Sequence, residues 1–289
     1  MIIALTFALS LAAAPPPPPQ PPVTEGLRVH LRADSLKLDD GDEVTVWPDL
    51  ATTYIERDKA QDAGQAYRNP PGFPGGAPRP FEPLDPPTFV ADAEGTPAVR
   101  FDGEQQTGLS HFNGIGLRGT DGGDAMTLVL VLRNTGKPGV ARAVQVGDIE
   151  GTGEDGGPAS SVAVDVNTAP QAGFGTRFQN GNQLTSDPLP QGWCVVTVVL
   201  DAGETYGETR VIFNGRTPDL AGATNPENQL RLRDEGYCLG YGNTANGAAN
   251  DFFTGDIAEF LYYQRALDDE DLQRLHEDLL SRYPIPQPN

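Results

Sequence analysis

The sequence predicts an all-β protein, a sandwich or barrel of antiparallel strands followed by one short C-terminal helix. Short apolar runs, alternating or continuous, recur along most of the 289 residues and are separated by turn residues. Glycine and proline are abundant, with 34 and 27 residues, whereas methionine occurs only twice. This composition is typical of a turn-rich β protein rather than a helix bundle.

The N-terminal segment favours export. Residues 1–14 form an uncharged apolar run that ends in small residues, as a signal peptide does, although no basic residue precedes it and Pro15 follows it. The run is shorter than the roughly 20 residues of a spanning helix. Residues 15–25 then form a Pro-rich leader of polyproline II type. We therefore expect a secreted or cell-envelope protein without an integral membrane segment in its mature chain.

The strand pattern begins at residue 26. Apolar and polar residues alternate over 26–32, which is the period of a half-buried strand and places His30 on its outward side. A second short strand over 44–47 follows a turn. Periodicity is then lost over 52–87, where prolines and glycines collect. Because prolines are excluded from central strands, this segment is predicted to be a surface insert.

Strand-like runs continue to the end of the domain. Continuous apolar runs at 125–132 and 193–200 predict strands that are buried on both faces. Asn214-Gly215 predicts a tight hairpin turn. Further strands are expected at 98–103, 140–146, 161–166, 173–178, 210–213, 237–241 and 252–263. Three aromatic residues are assigned to the core: Phe101, Trp193 and Phe252.

One helix is predicted after residue 268. Asp268 is a suitable N-cap, and residues 269–271 place three acids in the first turn. Three leucines share one helix face, and Pro284 ends the helix: Leu272, Leu275 and Leu279. Residues 26–283 are therefore interpreted as one domain, and 284–289 as a tail.

The charge balance excludes two classes of partner. The chain has 20 basic and 40 acidic residues, a formal net charge of -20. Nucleic acids and anionic membrane surfaces require a basic face, so neither is expected to bind.

Four stretches of the chain carry a family resemblance: 26–34 with the Val-Trp-Pro-Asp element at 46–49, 87–103, 193–200 with 211–215, and 255–270. They resemble the LamG-like members of the concanavalin A-like lectin/glucanase superfamily. Together they span residues 26–283. The resemblance implies a jelly roll of two antiparallel sheets. The chain departs from the family at 52–86, where members usually have a short polar link.

The resemblance implies an exported binding or adhesion module for a glycan or an extracellular protein. Fold alone does not supply an activity, and no enzymatic function is expected. Glycoside hydrolysis needs two facing carboxyl groups. The Glu-x-Asp-x-x-Glu pattern of the superfamily's glucanases does not occur in this sequence, and Asp256 and Glu259, three apart in a strand, are predicted to point to opposite faces. The alternatives are a hydrolase or lyase with a non-standard carboxylate pair and a self-associating envelope protein.

Aromatic side chains are the candidate ligand platform. Two groups are available, one in the insert and one beside an Asn-rich loop. The first comprises Tyr54, Tyr67 and Phe73, and the second Tyr237, Tyr241 and Asn243.

Calcium is the candidate cofactor, because this type of jelly roll often binds it at loop oxygens. The candidate ligands are Asp121, Asp124, Asn250 and Asp251. None of these clusters matches a calcium-loop consensus, and Asx turns explain each cluster without a metal.

Cys194 and Cys238 are the two cysteines of the chain. In an exported protein we expect them to form a disulfide, which would close a loop of about 45 residues and contribute up to about 4 kcal/mol. Two separately buried thiols are the alternative.

Overall fold

The computed structural model describes most of the strands and the whole C-terminal helix. The described residues are 19–51, 66–67, 84–111, 125–136, 140–147, 161–167, 175–178, 183–186, 192–218, 220–222, 226–227, 236–243 and 249–286. Of these, 66–67, 140, 161, 167, 175–178, 183–186, 220–222, 243 and 249–250 are described by their backbone alone. Strands are numbered in chain order.

The first sheet has seven strands. They are β1 (Leu27–Arg32), β4 (Thr88–Val90), β5 (Ala98–Phe101), β7 (Met126–Asn134), β12 (Trp193–Leu200), β13 (Arg210–Phe213) and β18 (Gly255–Tyr263). Their order is β13-β12-β7-β18-β5-β4. Strand β1 also pairs with β18, along residues 259–263, whereas β5 pairs along 255–257. The two strands therefore lie end to end on one edge of β18.

The second sheet has nine strands. They are β2 (Val46–Trp47), β3 (Ala66–Tyr67), β6 (Leu109–His111), β8 (Val140–Gly147), β9 (Ser161–Asn167), β10 (Gly175–Phe178), β11 (Gln183–Ser186), β14 (Leu220–Gly222) and β15 (Tyr237–Leu239). Their order is β14-β11-β10-β9-β8-β15-β6-β3-β2. Strand β3 lies within the predicted insert, so part of that segment belongs to the sheet rather than to a surface excursion.

A few short elements complete the described chain. Strands β16 (Gly242–Asn243) and β17 (Ala249–Asn250) form a small ribbon. Two 3-10 turns span Ala33–Ser35 and Tyr206–Glu208, and helix α1 spans Asp269–Arg282. The pairs of named strands in both sheets are antiparallel, and the predicted two-sheet fold with one C-terminal helix is confirmed.

The main core lies between the two sheets. Alternate residues of β7 pack against valines of β8 and β9, and all of them are buried. Large aromatic side chains fill the remaining space: Trp47, Phe101, Phe253 and Phe260. Phe101 and Trp193 are buried as predicted, whereas Phe252 is only partly buried, beside Tyr241.

Helix α1 covers the outer face of the first sheet. Its three predicted leucines pack on the residues of β7 and β12 that point away from the main core, among them Val129 and Val195. The Asp268 side chain accepts a hydrogen bond from the Asp271 N–H at 2.9 Å, so the predicted cap is confirmed. Within the described residues, no helix combines the length and apolar character that crossing a bilayer requires.

A bulge in β18 overturns the prediction for its two acids. The pairing of β18 with β7 shifts between Ile257 and Glu259, which inserts one extra residue into the strand. Ile257 and Phe260 both face the main core. Asp256 and Glu259 therefore lie on the same outer face, where the guanidiniums of Arg133 and Arg282 contact them.

His30 points away from the main core, as predicted, but it is fully buried. Its Nε2 lies 2.7 Å from Oε1 of Glu259. Its backbone N–H donates to Oδ1 of Asp49 at 2.9 Å. The outward side of β1 is thus a second buried layer beneath the C-terminal segment rather than a solvated face.

Candidate functional site

The predicted aromatic platform does not form at the Asn-rich loop. Tyr237 is fully buried and packs against Phe260, with ring centroids 5.3 Å apart, and Tyr241 is 3% exposed. Neither ring is available to stack on a sugar, so this prediction is wrong. Tyr237 lies on β15 and faces the main core. Tyr241 follows β15 and packs with Cys238 on the opposite face of the second sheet.

The other predicted ligand residues are only partly described. Tyr54 and Phe73 lie outside the described residues. The backbone of Tyr67 pairs with Ser110 in the second sheet, and that of Asn243 pairs with Ala249. Their role in binding stays a prediction.

Calcium binding by the four candidate ligand residues also stays a prediction. Asp121 and Asp124 lie outside the described residues, and Asn250 is described by its backbone alone. Asp251 accepts a hydrogen bond from Nη2 of Arg142 at 3.2 Å. Among side chains that the structure describes, no three histidine, cysteine or acidic groups are gathered as a metal site.

The predicted disulfide is wrong, because both cysteines are free and buried. Cys194 faces the main core from the first sheet. Cys238 alternates with Tyr237 and Leu239, which face that core, and it packs with Tyr241 on the opposite face of the second sheet. The second sheet thus separates the two sulfur atoms. Burial raises the pKa of both thiols to about 12, so they remain protonated and weakly reactive.

The two acids of β18 are held by cations. Burial raises the pKa of Glu259, but the hydrogen bond and charge of His30 and the charge of Arg282 outweigh it and lower that pKa to about 2. Asp256 lies between Arg100 and Arg133. A general acid for glycoside hydrolysis requires a raised pKa, so Glu259 is unsuited to that role.

A polar cluster lies on the outer face of the second sheet. Arg142 donates to Asp165 at 2.8 Å and to Gln145 at 2.9 Å, besides Asp251. The Arg142 and Asp165 side chains are buried. One guanidinium thus joins β8, β9 and the segment after β17.

An open cavity lies between the β13 turn and α1, and we call it the hairpin–helix cleft. Its volume is about 430 Å³. The predicted tight turn forms one wall: Phe213 and Arg216 exchange backbone hydrogen bonds of 2.7 and 2.8 Å. Asn214 and Gly215 both have positive φ, 49° and 77°, as an Asn-Gly hairpin turn requires.

The lining of the hairpin–helix cleft combines apolar and polar groups. Apolar side chains of β13 and α1 contribute Ile212, Leu272 and Leu280. Hydrogen-bonding side chains surround them: Arg210, Asn214, Arg216, Thr217, Asp269, Gln273, His276 and Glu277. A concave site with apolar surface and a few convergent polar groups is the usual form of a small-ligand site.

His276 is the buried histidine among the residues that line this cleft. It is 6% exposed, and its Nε2 lies 2.9 Å from Oγ1 of Thr197. Burial lowers the pKa of His276 to about 4, so the imidazole is neutral at pH 7. A perturbed histidine in a cleft is a physical indicator of a functional site. The sequence contained no signal for it, because His276 matches no catalytic or metal motif.

The lowered pKa of His276 predicts an acid-dependent loss of stability. Between the unfolded value of 6.5 and about 4, the unfolded chain binds a proton that the folded chain does not, so stability falls as pH falls through this window. We expect His276→Gln to lose less stability than the wild type between pH 7 and about pH 4.5, measured by urea unfolding. Equal losses in both proteins would contradict a neutral buried His276.

The chain is similar to solved structures in its fold. No protein-family model and no curated protein matches the chain. It is similar to the solved structure of Trypanosoma rangeli sialidase, with 13% identity over 88% of this chain and 33% of that one, at a TM-score of 0.50. The CBM40 of Ruminococcus gnavus IT-sialidase, solved bound to α2,3 sialyllactose, is 18% identical over 51% of this chain and 80% of that one, with a TM-score of 0.39. The chain spans a third of the sialidase, and the likeness shows a β-sandwich fold.

Proposed function

We propose that this protein is an exported, non-catalytic glycan-binding module of the LamG-like jelly-roll type, and that the hairpin–helix cleft is its glycan site. The observation that carries the proposal is the lining of the cleft, which places apolar surface beside guanidinium, carboxylate and carboxamide groups. Sugars present a matching combination, a ring face of C–H groups surrounded by hydroxyls.

The groups of the cleft suit hydroxyl recognition. Carboxylate oxygens accept two hydrogen bonds, guanidiniums donate them in a planar fork, and carboxamides do both. The Asn214 Oδ1 atom accepts from the Val195 N–H at 2.8 Å, which fixes the amide plane beside the cleft. The neutral ring of His276 can donate or accept. These positions are set by β12, β13 and α1, so the site is largely preformed.

The size of the cleft favours a sugar over a protein partner. Its volume of about 430 Å³ lies within the range of roughly 300 to 1,000 Å³ typical of small-ligand pockets. A stable protein interface instead buries about 1,200 Å² or more of total surface. We therefore propose a site for one or two sugar units of a chain.

The remaining parts of the proposal have separate support. Residues 1–14 resemble a signal peptide, which supports export. Asp256 and Glu259 are neutralised by arginines, which supports a role other than hydrolysis for this pair. The four LamG-like stretches lie on strands and the helix of the observed sandwich.

The test is to fill the cleft without disturbing the fold. Gln273 is exposed and lines the cleft, so Gln273→Trp is expected to occupy the space and reduce glycan binding at least about tenfold. The matched control is Arg274→Trp, at the next residue of α1, which is exposed and does not line the cleft. Binding is screened on a glycan array with the wild type, and affinities are then measured by calorimetry.

Each outcome is informative for a different part of the proposal. Loss of binding in Gln273→Trp, with retention in Arg274→Trp, supports the cleft as the site. An unchanged array profile in both variants places the glycan site elsewhere. A folded wild type that binds no glycan on the array overturns the proposed function.

A further inference from the structure

We infer that the glycan unit in the hairpin–helix cleft carries a carboxylate, that is, a sugar acid of the uronic-acid class. This inference rests on the proposed function and adds the chemical class of the ligand. The observation behind it is the guanidinium of Arg216, which lines the cleft and has no hydrogen-bond or ion-pair partner among the described residues.

Arg216 differs in this respect from the other arginines whose side chains the structure describes. Each of those donates to a carboxylate or an amide oxygen. They are Arg28, Arg32, Arg100, Arg133, Arg142, Arg210, Arg265, Arg274 and Arg282. The chain has twice as many acidic as basic residues, so most arginines have an acid to pair with. The guanidinium of Arg216, which lines the cleft, has no such partner among the described residues.

The other cation of the rim is already paired, and the carboxylate of Glu277 accepts a hydrogen bond from a neutral amide. Arg210 is paired with Asp269 at 2.8 Å, so these two charges compensate each other. The Glu277 Oε1 atom accepts from Nε2 of Gln273 at 2.8 Å. His276 is neutral at pH 7 because burial lowers its pKa to about 4. Arg216 is therefore the cation of the rim that is available to a ligand.

The backbone holds Arg216 beside the cleft. Its N–H donates to Phe213 O, and its carbonyl accepts from the Phe213 N–H, so the residue closes the tight turn. A Cβ on the adjacent Gly215 would lie 3.8 Å from Leu280 Cδ1 and 3.9 Å from His276 Nδ1, which shows how closely the turn approaches α1. The backbone of Arg216 is therefore held at a fixed position on the wall of the cleft.

A sugar acid matches this arrangement group by group. Its carboxylate accepts the planar, bidentate hydrogen bonds that a guanidinium donates best. Its ring face packs on the leucine and isoleucine side chains, and its hydroxyls donate to the remaining acceptor capacity of Glu277. A neutral sugar would offer the exposed guanidinium of Arg216 no charged partner and would leave it to water.

The experiment compares two ligands that differ at one carbon atom. Methyl β-D-glucuronide carries a carboxylate at C6 where methyl β-D-glucoside carries a hydroxymethyl group. We expect the wild type to bind the glucuronide at least about tenfold more tightly in NMR titrations, as one charge-assisted pair predicts. Arg216→Gln is expected to remove this preference. Arg274→Gln, which removes the same charge from an exposed site outside the cleft, is expected to retain it.

The outcomes separate this inference from the proposed function. Equal binding of the two glycosides, or a preference that survives in Arg216→Gln, overturns the sugar acid and leaves a glycan site. Acetate binding as tightly as the glucuronide would show anion binding without sugar recognition and also overturns the inference. Binding of array glycans without either glycoside does the same, whereas no binding of any ligand overturns both proposals. Thermal unfolding of each variant verifies that it is folded.

Discussion

Replacing Glu259 with alanine is expected to lower the free energy of unfolding by about 3 to 5 kcal/mol, because it removes the buried carboxylate that binds His30 and pairs with the partly buried guanidinium of Arg282. Glu259 is fully buried, and its carboxylate is bound by three side chains. His30 Nε2 lies 2.7 Å away, Arg282 Nη1 2.8 Å and the Tyr283 hydroxyl 2.6 Å. The carboxylate thus joins β1, β18 and the end of α1.

Two further variants test this explanation by urea unfolding. Asp269→Ala removes an exposed acid that pairs with Arg210, and it is expected to cost less than about 1 kcal/mol. Glu259→Met combined with Arg282→Met removes both charges and is expected to be more stable than Glu259→Ala. If the double variant is no more stable, lost packing rather than an unpaired charge dominates the effect.

Replacing Gly240 with alanine is expected to cost about 2 to 5 kcal/mol, from about 1 to 2 for the left-handed backbone and about 1 to 3 for overpacking. Gly240 has a φ of +80°. A Cβ there would lie 2.1 Å from Cδ1 of Phe101, whose ring is buried in the main core. Because the Phe101 ring is buried among core side chains, we expect the added methyl group to displace the ring or its neighbours.

Gly203 is the matched control, because it has the same φ of +80° and no atom within 4 Å of an added Cβ. Gly203→Ala is therefore expected to cost only the backbone part, about 1 to 2 kcal/mol. The comparison is made on midpoints and slopes of urea unfolding. Equal losses at the two glycines would show that the contact with Phe101 contributes nothing.

The elements that the sequence predicts best are those whose signals are local. Helix α1 forms where an N-cap, first-turn acids and a leucine face coincide, and Asp268 makes the expected hydrogen bond. The turn at Asn214 and Gly215 forms because few residues other than these adopt positive φ at low cost. Strand β12 begins and ends where its apolar run does, at Trp193 and Leu200.

The predictions that failed depend on distant contacts. Alternation places Cys194 and Cys238 on strands, but it does not say which sheet each strand joins or which face is inside. A tyrosine suits a core and a binding platform equally, so the sequence leaves the role of Tyr237 open, and its packing against Phe260 assigns it to the core. The bulge at Ile257 to Glu259 has no sequence marker, and it reverses the predicted orientation of two acids.

Four features follow from the amino-acid sequence alone, because each depends on neighbouring residues or on composition: the all-β class, the position of α1, the tight turn before Arg216 and the acidic character of the chain. The approach of this turn to α1, which forms the hairpin–helix cleft, is evident from the folded structure and not from the sequence. Asn214 and His276 are far apart in the chain, and they meet because β13 joins the edge of the first sheet while the leucines of α1 pack on its outer face. Such long-range packing depends on burial of apolar surface, which is non-directional and leaves no local pattern to read.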